Sequence, residues 1–322
     1  MTITPMTLGE IFDRLFKLIG KTWLRNLILV SIIMVLPAVI FILGMDSFFS
    51  EIANMINDKT IGGANIPEGF GSMLITMIGF FIGLTFFVLG TEAAILGVTI
   101  TSCEEMDGRY ITWEEALRRM FSIRFLRLIG QNILIGLVIV GLILIPYILL
   151  IAAIAAKLFL LGFFAVLLLL ASIGFIVFLT TNWAFTVQAI GWEDANIFQS
   201  FRRSRQLVRG NWWRVFGILL LMNIMLSFAV SLIITPVYLI VMWDFFASYF
   251  SMLGSAGSKE VDPTAIFETF RTIGIRMGLV ASLSTVLQLL VSPLYTTVLY
   301  FDLRARDELN VQLRQTDTTI MI

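Results

Sequence analysis

The sequence predicts an all-α membrane protein: a polytopic bundle of six transmembrane helices with three interfacial amphipathic helices. The chain is 58% hydrophobic and 14% charged, with a mean hydropathy of +0.95. Soluble proteins are nearer to about 45–50% apolar and about 25% charged, so a soluble fold could not bury this apolar surface. Six apolar runs separated by charged segments then favour spanning helices, since a span needs about 20 apolar residues.

The apolar runs place the spans approximately at 27–44, 72–101, 128–151, 158–188, 215–243 and 277–301. Only a few residues separate the third run from the fourth, and Lys157 lies among them. A charge at this point predicts a tight turn at a membrane interface rather than one very long helix.

Basic residues are distributed unevenly between the two sides of these spans. Five of the 22 basic residues lie on one side of the predicted bundle: Lys59, Lys157, Lys259, Arg271 and Arg276. The others fall on the side of the N-terminus, and loops rich in Lys and Arg stay in the cytoplasm. We therefore expect a multi-pass protein of the cell (inner) membrane with cytoplasmic N- and C-termini.

A threefold internal repeat organises the predicted single membrane domain, 1–322. The units cover approximately 7–101, 112–188 and 196–301, and a short cytoplasmic tail follows at 302–322. Each unit opens with a helix-capping pair three residues apart, in which the side chains and backbone N–H groups satisfy each other. These pairs are Thr7 and Glu10, Thr112 and Glu115, and Asn196 and Gln199.

An amphipathic segment follows each cap and leads into a pair of spans. The first span of each pair contains a proline, at Pro37, Pro146 and Pro236, which predicts a kink. Seven residues after each cap stands an arginine: Arg14, Arg119 and Arg203. Basic amphipathic helices lie in the membrane interface, so these three arginines are the predicted contacts for anionic lipid headgroups.

Glu92 is the acidic residue placed well inside a predicted span, and a carboxylate at that depth is a functional candidate. A polar site around it would draw on the amides Asn182, Gln188, Asn223 and Gln288. Alternatively, Glu92 is protonated or hydrogen-bonded and holds two helices together, and the amides bond between helices. Gly79 and Gly83 form a GxxxG pair that predicts close helix packing.

Catalytic residues are scarce. The chain has no histidine and a single cysteine, Cys103, which removes the commonest general base and the usual cysteine-based metal sites. No nucleotide-binding, zinc-protease or nucleic-acid motif occurs. We expect no catalytic residues, no cofactor, no metal and no nucleic-acid partner.

Four segments resemble the membrane domain of the glycerophosphoryl diester phosphodiesterase family, in the family's order. They are TLGEIFDRLFKLIGKTW, MDGRYITWEEALRRMF, SFRRSRQLVRGNWWRVFGILLL and PLYTTVLYFDLRARDELN. The resemblance implies a stand-alone membrane domain of the same fold and location. Because the fused enzyme uses histidines and a carboxylate-bound metal, its phosphodiesterase activity is not expected here.

The sequence favours two hypotheses about function, which belong to different classes of protein. The first is a non-enzymatic protein that organises lipids or partner proteins at the cytoplasmic leaflet, indicated by the three basic amphipathic segments. The alternative is a small-molecule or lipid transporter with a polar site near Glu92, since transporter folds often arise from repeats. An intramembrane enzyme is a third and weaker hypothesis.

Overall fold

The computed structural model of the 322-residue chain describes residues 5–57, 70–255 and 263–320. Within these ranges the chain forms ten α-helices and no strand. The helices are α1 (Leu8–Asn57), α2 (Phe70–Met106), α3 (Trp113–Met120), α4 (Ile123–Ala155), α5 (Phe159–Asn182), α6 (Thr186–Gly191), α7 (Ile197–Val208), α8 (Trp212–Val241), α9 (Trp243–Ser255) and α10 (Pro263–Ile320). The all-α prediction is confirmed.

Six of the described segments are long and apolar enough to cross a membrane: Leu8–Met55, Gly71–Met106, Ile123–Ala155, Phe159–Gly191, Trp212–Val241 and Ile273–Gln312. The six predicted spans are thus confirmed, and the chain is a multi-pass membrane protein. The tight turn between α4 and α5 is also present, with Lys157 at its centre at φ 55°.

The chain divides into two compact units. The first unit contains Met1–Arg25, Leu96–Met222 and Pro293–Ile322. The second unit contains Asn26–Ile95 and Asn223–Ser292. Helices α3 to α7 belong wholly to the first unit, whereas α1, α2, α8 and α10 contribute residues to both.

All three predicted helix caps form. The Thr7 N–H donates to Glu10 Oε2 at 2.6 Å, and Thr112 Oγ1 accepts from the Glu115 N–H at 3.3 Å. Asn196 and Gln199 make a complete capping box. The local cap pattern was therefore readable from sequence, while the threefold repeat as such stays a prediction.

Only two of the three predicted amphipathic helices, α3 and α7, are separate helices. The first amphipathic segment continues into the first span as one helix, α1. Its buried positions recur every three or four residues without interruption, at Ile11, Leu15, Leu18, Thr22, Arg25 and Leu29. This spacing keeps one face of a single helix buried, so no break in the helix is needed there.

The predicted cytoplasmic tail is also helical as far as Ile320, because α10 continues past the last span. Two ion pairs at helical spacing support its first turns: Arg304 to Glu308 at 2.9 Å and Arg306 to Asp302 at 3.2 Å. Asp302, Leu303 and Ala305 are buried, so 302–307 packs as part of the first unit, whereas 308–312 is exposed.

In the second unit, α1 and α2 approach each other closely at glycines. A Cβ atom added at Gly83 would lie 2.9 Å from the carbonyl oxygen of Ile40. At Gly44 an added Cβ would lie 3.2 Å from the carbonyl oxygen of Gly79, whereas Gly79 itself has open space at its own Cβ position. The predicted close packing at Gly79 and Gly83 is confirmed, with different roles for the two residues.

Candidate functional site

The site is built where the fourth predicted span ends. The sequence predicted one helix over 158–188, but α5 ends at Asn182 and the chain turns before α6 begins at Thr186. Ser204 of α7 satisfies the backbone at this break: its hydroxyl donates to the Asn182 carbonyl at 2.7 Å and accepts from the Phe185 N–H at 3.1 Å. These two bonds replace helical ones and fix α7 against the end of α5.

Helix α7 has a buried face and an exposed cationic stripe. Ser200, Ser204, Leu207 and Val208 form the buried face. Arg202, Arg205 and Arg209 are exposed. Arg202 and Arg205 are three residues apart and therefore neighbours on the helix surface, and Arg209 is the C-cap residue that follows the helix. We call these three residues the arginine row.

The arginine row lines a cleft of about 640 Å³. Its lining residues are Phe178, Asn182, Arg202, Arg205, Gln206, Val208, Arg209, Gly210 and Trp212. One wall is apolar, since the ring of Trp212 lies 5.8 Å from that of Phe178 and stacks on Phe216 at 5.2 Å between centroids. The cleft therefore joins cations to an aromatic surface.

No carboxylate among the described residues lies within ion-pair distance of the arginine row. Neighbouring arginines differ. Arg124 and Arg127 both pair with Asp194, at 3.2 and 2.8 Å. Because unpaired like charges along one helix face are destabilising, a bound anion would relieve a repulsion that the described residues leave in place.

Arg203, which sequence analysis singled out, points away from the cleft into an ion-pair network. It pairs with Glu193 at 3.2 Å and Asp307 at 3.3 Å, and Glu193 also accepts from the hydroxyl of Tyr300. Burial alone would lower the pKa of Arg203, but the Glu193 carboxylate and its neighbours hold that pKa above its ordinary value. Arg203 thus anchors α7 to α10.

The other two predicted headgroup contacts differ from each other. Arg119 pairs with Glu104 at 2.7 Å and with Glu115 at 2.5 Å, so its guanidinium group is already bonded to two carboxylates. Arg14 is exposed and forms no ion pair with the described residues.

The arginine row as a group was not predicted from the sequence, because the predicted headgroup contacts followed from their distance to the caps. The spacing of residues along α7 was the signal that could have distinguished the arginine row from Arg203. Arg203 is three residues from Ser200 and four from Leu207, so it lies on the side of the helix that is buried.

The five predicted polar-site residues are divided between the two units. Asn182 and Gln188 belong to the first unit, and Glu92, Asn223 and Gln288 to the second. Gln188 is buried and donates to Thr296 Oγ1 at 2.9 Å. Glu92 is half-buried and has an interaction partner. Asn182 alone among the five lines the cleft, so the transporter hypothesis based on Glu92 stays a prediction.

The chain matches the sequence model of a family described as a domain of unknown function, DUF7847, over residues 24–303. The chain belongs to this family. No curated protein and no solved structure matches it. The DUF7847 match makes no link to the glycerophosphoryl diester phosphodiesterase membrane domain, so that resemblance also stays a prediction.

The chemistry available in the cleft of this DUF7847 member is electrostatic. Its polar side chains are guanidinium groups and amides, and arginine keeps its proton in proteins. General acid–base catalysis needs a group that exchanges a proton near neutral pH. The lining residues are therefore suited to hold and orient an anion.

Proposed function

We propose that this protein is a non-enzymatic integral membrane protein that binds and organises anionic lipids at the cytoplasmic leaflet of the cell (inner) membrane. The arginine row is its main headgroup contact. The distribution of basic residues supports cytoplasmic termini and a cytoplasmic position for α7. Partner membrane proteins would be recruited through the same lipid-rich surface.

A single observation carries the proposal: three exposed arginines, two on α7 and one at its C-terminal cap, line one cleft without a carboxylate partner among the described residues. Most other arginines among the described residues of the first unit have such a partner. An arginine that bonds to its own protein contributes to folding, whereas one that lacks a partner remains available to phosphate oxygens.

The expected strength follows from general electrostatics. Each Lys or Arg near an anionic membrane surface contributes about 1 kcal/mol. Three residues together therefore contribute about 3 kcal/mol, which is roughly a 100-fold preference for anionic over neutral lipid. The attraction weakens as salt is added, because the Debye length falls to about 8 Å at 0.15 M.

The test replaces the arginine row and measures lipid binding. We expect Arg202→Gln/Arg205→Gln/Arg209→Gln to lose most of its copurified phosphatidylglycerol, measured by native mass spectrometry from mixed phosphatidylglycerol and phosphatidylcholine. The matched control is Lys17→Gln/Lys21→Gln/Arg109→Gln, which removes the same charge from residues that already pair with Asp13, Glu105 and Asp107.

The control variant should retain lipid as the unmodified protein does. Equal retention by the arginine-row variant, at an unchanged melting temperature, would contradict the proposal.

A further inference from the structure

We propose that the cleft is a binding site for a lipid whose headgroup is a phosphate monoester, the phosphatidate class. This inference rests on the proposed function, since it names the lipid that the arginine row prefers. The geometry that supports it brings together, in one cleft of about 640 Å³, an aromatic wall and three arginines that have no carboxylate partner among the described residues.

Charge balance favours a monoester over a diester. The three guanidinium groups bring three positive charges without a carboxylate partner among the described residues. A phosphodiester headgroup brings one negative charge and two free oxygens. A phosphomonoester carries about −1.5 to −2 at pH 7 and offers three acceptor oxygens. The monoester therefore neutralises more of the repulsion within the arginine row.

The spacing of the row suits a single compact headgroup. Arg202 and Arg205 are neighbours on the helix surface, with Cβ atoms about 5–6 Å apart. Arg209 follows just after the end of α7, and Gly210 there has a φ of 86°, which turns the chain toward α8. Arginine presents a planar fork that bonds phosphate oxygens in pairs. Long flexible side chains at these positions can meet at one phosphate.

The lining of the cleft also disfavours amine-bearing headgroups. Ethanolamine or choline esterified to the phosphate would bring a cation beside the arginine row. The lining contains no acidic residue to pair with that cation. Like charges in such proximity repel, so zwitterionic lipids gain nothing from the site and bind it weakly.

The apolar wall indicates an amphiphile rather than a free phosphate. Phe178, Val208 and Trp212 border the same cleft as the arginines. The cavity volume lies within the usual range for small-molecule sites, about 300–1,000 Å³. A cleft of this size has room for a phosphate, a glycerol and the first carbons of an acyl chain. Tryptophan is well suited to this position, since its ring prefers the boundary between headgroups and chains.

The decisive experiment is a pH titration with the full-length protein in detergent. Phosphatidate and phosphatidylglycerol of equal chain length are titrated separately at pH 5.0 and 7.5. The second pKa of a phosphomonoester is about 6, so phosphatidate gains charge across this interval and phosphatidylglycerol does not. We expect phosphatidate affinity to rise by about fivefold or more, as for one additional charge near 1 kcal/mol. Phosphatidylglycerol affinity should stay constant.

Two variants and one soluble competitor separate the components of the site. Arg202→Gln/Arg205→Gln/Arg209→Gln should lose both the preference for phosphatidate over phosphatidylglycerol and the pH dependence of phosphatidate binding. Trp212→Ala should weaken phosphatidate binding while the pH dependence persists. Glycerol 3-phosphate carries the same headgroup without acyl chains, and it should compete only at far higher concentration than phosphatidate.

The outcomes distinguish this inference from the proposed function. Equal, pH-independent affinities for the two lipids would overturn the phosphomonoester site and leave anionic-lipid binding standing. Competition by glycerol 3-phosphate at the same concentration as phosphatidate would overturn the lipid assignment. If the unmodified protein bound neither lipid, both this inference and the proposed function would be contradicted. A melting curve for each variant identifies losses that result from unfolding.

Discussion

Each of the two units is stabilised internally by a different set of contacts. The first unit is rich in ion pairs that join residues far apart in the sequence, such as Arg214 with Asp302 at 2.5 Å and Arg119 with Glu104 at 2.7 Å. Among the described residues of the second unit, one such ion pair occurs, between Arg276 and Asp244 at 2.9 Å. Its other contacts include close approaches of helix backbones at glycines and stacked phenylalanines, such as Phe41 on Phe87 at 4.6 Å.

This difference shows which charged side chains can bind an anion from outside the protein. Among the described residues of the first unit, most arginines pair with a carboxylate, so the few that do not are candidates for binding an external anion. Without the surrounding ion pairs, the arginine row would be only three more basic residues in a basic segment. Substitutions that remove one kind of contact should therefore affect one unit and leave the other intact.

The largest expected effect on stability comes from replacing Asp302, which is fully buried in the first unit. Its carboxylate accepts from the Met6 N–H at 2.6 Å and pairs with Arg214 and Arg306. Removing one partner of such a buried network costs about 3–5 kcal/mol. We expect Asp302→Asn to lower the midpoint of thermal unfolding in detergent markedly.

The control for Asp302 is Asp13→Asn, because Asp13 pairs with Lys17 on the exposed surface. Exposed pairs contribute about 0–1 kcal/mol. Similar melting temperatures for the two variants would contradict the view that the buried network stabilises the first unit.

The next effect is in the second unit, at Gly83. A Cβ there would lie 2.9 Å from the Ile40 carbonyl oxygen and 3.1 Å from the Phe41 Cα, both backbone atoms. Because backbone cannot move aside cheaply, we expect Gly83→Ala to cost about 1–3 kcal/mol of stability. The same substitution at Gly79 meets open space and should be neutral or stabilising by up to about 1 kcal/mol. Denaturant unfolding of both variants in detergent compares them, and equal losses would argue against the close approach.

The smallest effect is at the cap of α3. Thr112 Oγ1 accepts the Glu115 N–H, and loss of such a cap costs about 1 kcal/mol. We expect Thr112→Ala to increase hydrogen exchange in 113–120, while Thr112→Ser retains protection. Identical exchange in the two variants would show that the hydroxyl does not hold this helix.

The sequence was most informative where structure depends on neighbours along the chain. The spans follow from runs of apolar residues, and the cap at Asn196 follows from Gln199 three residues later. The pairing of Arg203 with Asp307 in particular does not follow from such local patterns, because Asp307 lies 104 residues away. The break after Asn182 was missed for the same reason, since it depends on Ser204, 22 residues further along the chain.

The most direct test of the central claim is to map where phosphatidate binds. A phosphatidate with a photoreactive group near the glycerol would be crosslinked to the full-length protein in nanodiscs, and the labelled peptides sequenced by mass spectrometry. We expect labelling concentrated at Phe178 and Trp212, reduced by excess unlabelled phosphatidate and lost in the Arg202→Gln/Arg205→Gln/Arg209→Gln variant. Labelling spread over the exposed apolar faces of α4 and α5, unchanged in that variant, would contradict the claim.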